Sequence, residues 1–197
     1  RRLLRNYRFF CGIGGLNIQG VMRKPALQPE VKQLSDFLAS LRKESDRGAA
    51  LVAASMLDER LHEILEAFLA EVPCSRDLLV GFNAPLGTLS ARAMSAYSLG
   101  LIQRNEFEEI SLMRKIRNEF GHGWEPLSFE SESIAALAQQ LPWLGPSDQE
   151  SGSTLRSRFS FAIAILLTDL MWRVELVRKE RRTSRVWAHK ARRARAA

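Results

Sequence analysis

A chain of 197 residues, 46% of them hydrophobic, is long enough for a single domain with a sizeable core. Its two cysteines, Cys11 and Cys74, exclude a disulfide framework and a zinc site built on cysteine pairs, and they fit a reducing cytoplasm. The net charge of +7 is unevenly placed: residues 1–24 carry +6 and residues 178–197 carry +8, which leaves the body at −7.

The leader, residues 1–24, is basic, glycine-rich around Gly12-Ile13-Gly14-Gly15 and without helical period, so it is expected to be disordered. Those glycines lack the flanking strand and helix of a phosphate-binding loop. Met22 is read as the natural start, an expectation that peptides before Met22 in the native protein would reject.

Residues 25–177 form the expected domain, and hydrophobic periodicity places its helices. Val31, Leu34, Phe37, Leu38 and Leu41 define an amphipathic helix entered through Pro29. A long helix is predicted over 49–72, broken at Pro73, with Leu57, Leu61, Ile64, Leu65 and Phe68 as its core stripe. Asp58, Glu59, Glu63 and Glu66 surround that stripe. His62 has no second histidine or cysteine at ligand spacing, so it reads as packed rather than metal-binding, and no metal or cofactor is expected. A third helix is predicted over 86–100 and a fourth over 105–120, joined by a short turn as antiparallel neighbours. A short helix over 134–141, a polar loop over 142–152 and a final helix from about residue 153 complete the body. The apolar run 159–172 in that last helix is interrupted by Thr168 and Asp169 and is shorter than a membrane span of about 20 residues. The fold class expected is all-α, a single-domain bundle of five to six helices.

Two nucleic-acid readings follow from charge. The tail over 178–197 is expected to continue the last helix into solvent, with Arg181, Arg182, Arg185, Lys190, Arg192 and Arg193 available to hold RNA or DNA phosphates without reading sequence. Trp187 and His189 are placed to stack on bases. A groove-reading helix within 86–120 is not expected, because Arg114, Lys115 and Arg117 are its only clustered basic residues.

The stretch that looks most like chemistry is Arg114-Lys115-Ile116-Arg117-Asn118-Glu119-Phe120-Gly121-His122. Arg117 and His122 are five residues apart and diverge by about 140° on an ideal helix, so a helix alone does not bring them together. This Arg-polar-x-x-x-His run resembles the signature of HEPN-type domains, small helical bundles that often dimerise. The resemblance implies metal-independent RNA cleavage, with His122 moving protons, Arg117 stabilising the charged phosphorane and Asn118 assisting. The competing reading is structural: Arg117 pairs with a buried carboxylate and His122 caps the helix C-terminus, where a cation is favoured.

A longer resemblance covers residues 84–122. Ala84-Pro85-Leu86-Gly87-Thr88-Leu89-Ser90-Ala91-Arg92, then Ala96-Tyr97-Ser98-Leu99-Gly100-Leu101-Ile102, Glu106-Phe107 and the Arg-Lys-Ile-Arg-Asn run resemble the mannitol operon repressor family. The resemblance implies an all-α fold, a homodimer, and a cytoplasmic, non-enzymatic transcriptional regulator that acts through protein partners without a recognisable DNA-reading motif. The alternative is the HEPN-like endoribonuclease, with Arg117, Asn118 and His122 in a composite site at a dimer interface.

Overall fold

The computed structural model of the protein describes residues 29–122 and 124–187. The expectations for the leader, for Met22, and for His189, Lys190, Arg192 and Arg193 lie outside the described residues. Seven α-helices and one 3-10 turn are present among them, without strands, as an all-α bundle: α1 Pro29–Leu41, α2 Asp46–Phe68, α3 Pro73–Leu79, α4 Leu89–Ser98, α5 Arg104–Gly121, α6 Glu132–Ala138, the 3-10 turn Ser147–Gly152, and α7 Leu155–Arg178. No helix of the described residues is long and apolar enough to cross a membrane.

α2 and α7 pair at the centre. In α2 the alanines Ala49, Ala50 and Ala53 precede Leu57, Leu61, Ile64 and Leu65, all of them buried, so its first half offers a narrow surface to close neighbours and its second half a broad one. α7 answers with Phe159, Ile163, Leu166, Leu167 and Leu170. Burying one such side chain stabilises the fold by about 1.5–3 kcal/mol. α4 and α5 pack on α2, α6 bridges α5 and α7, and α1 lies across α2 and α7. Phe120, Phe129 and Phe159 form an aromatic column with ring centroids 5.3 and 5.0 Å apart, which ties α5 and α7 through the loop between α5 and α6.

Local chemistry sets the helix ends. Ser45 caps α2 by accepting from the Gly48 amide at 3.1 Å, and Thr88 caps α4 by accepting from the Ala91 amide at 3.2 Å. The predicted third helix therefore begins at Leu89, not residue 86, because Leu86 and Gly87 are held in a turn by Leu78 and Ala84 carbonyls. α4 ends in a Schellman motif: the Leu101 amide donates to Ala96 O and the Gly100 amide to Tyr97 O, with Gly100 at φ +72°. α5 opens with the Gln103 amide bonded to the Glu106 carboxylate at 2.6 Å.

The second predicted helix stops at Phe68, short of Val72. The extended Val72 before Pro73 is disfavoured in the α conformation, and Pro73 starts the separate short helix α3. The expectation that the basic tail continues the last helix is corrected through residue 187: α7 ends at Arg178, and the following segment returns to the end of α2. The Arg182 amide donates to Phe68 O at 2.8 Å, the Arg181 guanidinium reaches Ala67 O at 3.1 Å, and the Arg182 guanidinium lies 5.0 Å over the Phe68 ring. Two arginines thus sit at the negative end of the α2 dipole, and carbonyls without intrahelical partners receive donors.

Candidate functional site

α5 carries the signature residues along and past its last turn. Its buried side is Ile110, Met113, Ile116 and Phe120, which turns Arg117 outward. Arg117 is exposed, and its guanidinium donates to Asn118 Oδ1 at 3.1 Å. No carboxylate reaches it among the described residues. The carboxylates expected near it are used elsewhere: Asp58 binds Arg92 at 2.5 Å and Glu63 binds Arg60 at 2.6 Å. His122 is the C-cap of α5, with its amide donating to Asn118 O at 2.9 Å and its residue exposed.

A groove of about 500 Å³ lies beside this helix end. Its walls are Ser55 and Asp58 of α2, Thr88 and Ser90 at the start of α4, and Arg114, Arg117 and Asn118 of α5. Arg117 and Asn118 therefore share a groove, while His122 is not among the residues that line it. Arg114, part of the same run, joins them, and so do Thr88 and Ser90, to which the sequence had assigned no site role. The sequence placed both inside a helix over 86–100, and their approach to α5 is set by packing across α2. The guanidiniums of Arg114 and Arg117 facing a helix N-terminus suit an anion.

Arg92 organises the opposite wall. Besides Asp58 it donates to Leu86 O at 2.8 Å and Leu79 O at 3.2 Å, and so fixes the loop between α3 and α4 against α2. The other carboxylate oxygen of Asp58, Oδ1, is buried without a hydrogen-bond partner.

A larger groove of about 1170 Å³ runs between the C-terminal halves of α2 and α7 and α3. Its charges are largely paired, Arg60 with Glu63, Arg178 with Glu175 and Arg181 with Glu71, and they do not converge on one point. Among the described residues no group of histidine, cysteine and carboxylate side chains has the arrangement to hold a metal ion. His62 is half-buried beside Leu61, with Nδ1 unpartnered.

Of the tail residues expected to meet nucleic acid, Arg181 and Arg182 are engaged with α2, whereas Arg185 and Trp187 are exposed.

The chain is similar to mannitol operon repressors. It is 25% identical over 147 residues to the mannitol operon repressor of Escherichia coli strain K12, an alignment that covers 66% of this chain and 75% of the relative. The same identity and coverage hold for the mannitol operon repressor of Escherichia coli O6:H1. No protein-family model matches the chain. Among solved structures, a chain in the X-ray structure of the MtlR-HPr complex from Escherichia coli has a similar fold, with a TM-score of 0.50 and 24% identity over 72% of this chain and 97% of that one. The likeness is one of fold alone, and in this chain the Arg117 groove lies on the α2–α4–α5 side of that bundle.

Proposed function

We propose that the chain is a non-enzymatic transcriptional regulator of the mannitol operon repressor family, which works in the cytoplasm by holding a protein partner, HPr or a protein like it. The observation that carries this reading is the sequence likeness to mannitol operon repressors over 147 residues. The fold likeness to a chain solved in a complex with HPr supports a protein partner. The three clustered basic residues of α5 support it as well, being too few for a groove-reading helix among acidic surroundings. Calorimetric titration of the full chain with Escherichia coli HPr tests the reading. Saturable one-to-one binding is expected, and a flat titration with folded protein would remove the partner.

A second reading is favoured by one observation: Arg117 has no carboxylate partner among the described residues and is exposed at the same helix end as His122. Two copies of the chain meeting at the ends of α5 would set Arg117 and Asn118 of one beside His122 of the other. That arrangement is the composite site of a HEPN-like, metal-independent endoribonuclease. Incubation with end-labelled RNA in the absence of divalent metal tests it. Cyclic phosphate ends that vanish in both Arg117→Ala and His122→Ala would establish cleavage, and intact RNA beside a folded dimer would end the reading.

A further inference from the structure

The outer side of α7 carries an apolar stripe that no other helix among the described residues covers. Ile165, Trp172 and Leu176 recur at intervals of seven and four, which places them on one side of the helix. All three are exposed, Trp172 at 47% and Leu176 at 57%, while α2, α1 and α6 pack against the remaining sides.

Asp169 stands within this stripe, one turn from Ile165. Beside it are Glu106 and Glu109 of α5 and, among the described residues, a single cation, Arg173. Arg173 is committed to the buried Glu106, through bonds of 2.7 and 3.2 Å, and to Leu101 O at 2.8 Å. Asp169 and Glu109 therefore have no ion-pair partner of their own among the described residues. Partial burial pushes both carboxyls above the ordinary range, and the neighbouring Glu106 pushes them further.

A partner whose apolar surface covered Ile165, Trp172 and Leu176 would take Asp169 out of water. A carboxylate removed from water requires a cation beside it. The edge of this stripe already has more negative charge than Arg173 can neutralise, so the missing cation must come from the partner. We infer that this side of α7, with Asp169 and Glu109 at its edge, is the docking surface for a protein that sets a lysine or arginine among apolar side chains. The inference deepens the partner-binding reading above and rests on it, by naming the surface and the chemistry that fits it.

The experiment uses the full chain with HPr as probe, at low and high salt. The variants are Asp169→Asn with Glu109→Gln, Trp172→Ala with Leu176→Gln, the single Leu176→Gln, and Lys115→Ala as control. The carboxylate pair should weaken binding about tenfold and flatten its salt dependence, while the melting temperature holds or rises. The apolar pair should weaken binding at least about tenfold. If that pair unfolds, Leu176→Gln alone carries the comparison, because its side chain is already in water. The control should bind as wild type. Undiminished HPr binding in both pairs would overturn the surface and leave the partner standing.

If HPr fails to bind wild type, the partner falls and the surface is judged on a second probe. That probe is a synthetic amphipathic helix with lysine amid leucines, compared with its glutamate counterpart. Amide shifts across residues 165–176 with the lysine peptide alone, lost in Asp169→Asn, would sustain the surface, and their absence would overturn it. A wild-type dimer that Trp172→Ala dissociates would also overturn it, since a second copy would then be the occupant.

Discussion

Arg92 joins three segments with one guanidinium, and its side chain is only 11% exposed. Arg92→Ala should cost about 3–5 kcal/mol, because it leaves the Asp58 carboxylate uncompensated and two carbonyls without donors. Urea denaturation measures this, and a loss below about 1 kcal/mol would show that water replaces the guanidinium. Arg92→Lys should recover little of it, since an ammonium cannot reach three acceptors in a planar fork. Asp169 and Glu109 act in the opposite sense. Burial raises each carboxyl in the folded state, so the folded chain binds protons more readily than the unfolded one. Their contribution then favours folding at acid pH, below the unfolded carboxylate range, and is lost as pH rises through the raised values. Asp169→Asn and Glu109→Gln should raise the melting temperature at neutral pH, and the gap to wild type should close as pH falls toward the carboxylate range. A gap independent of pH would mean that charge is not its cause. The Arg117 run was legible in sequence because its residues are consecutive on one helix. Its freedom from carboxylates was not, because Asp58 could meet Arg117 or Arg92 with equal sequence warrant and only the turn at Leu86–Gly87 decides for Arg92.

α2 shows how far an element can be read from its own residues. Its stripe of Leu57, Leu61, Ile64 and Leu65 announced the helix, and all four are buried. Its end was placed four residues late, because the extended segment before Pro73 starts earlier than the proline itself, and the groups that cap the end lie more than a hundred residues away in the returning tail. The Arg-Lys-Glu-Arg-Arg segment looks like a solvated helical extension by local propensity, and only the free carbonyls at Ala67 and Phe68 reveal why it leaves α7. α3 escaped detection for a different reason: its only large apolar residues, Leu78 and Leu79, are adjacent and display no helical period. Truncation after Glu180 should therefore lower stability by about 1–2 kcal/mol, as lost caps do, and should speed amide exchange in the last turn of α2. Unchanged protection at residues 65–69 would show that the tail contact is incidental. Gly100→Ala should cost about 1–2 kcal/mol, because the Schellman turn requires φ +72° there and a Cβ is strained in that conformation. Thermal melts of this variant measure that cost, and a neutral substitution would mean that the turn relaxes.

At the scale of the whole molecule, the acidic body with basic ends was visible in the order of charges along the chain, and the all-α class in its hydrophobic periodicity. The arrangement of α4 and α5 across α2, which creates the Arg117 groove, was not, because packing partners leave no local trace in sequence. The endoribonuclease reading makes a demand that only an assembly can meet. A mixture of Arg117→Ala and His122→Ala chains should regain cleavage that neither has alone, since a mixed dimer restores one intact pair, and its failure to do so in a proven mixed dimer would exclude the shared site. The other long-range dependence of the fold runs through Arg156 near the start of α7. Its guanidinium donates to Leu41 O at 2.8 Å and to Glu44 O, Ser45 O and Asp46 Oδ1, each at 3.2 Å, so one side chain holds the end of α1, the turn after it and the start of α2. The first helical hairpin is thus latched by a residue that leaves the ribosome more than a hundred positions later. Since α7 also supplies half of the central pair, the N-terminal half of the chain emerges with its apolar faces open and stays so until α7 has followed it. Completion of this core therefore waits for long-range contacts, and the interval before α7 is made is when the apolar faces of α1 and α2 are most open to aggregation.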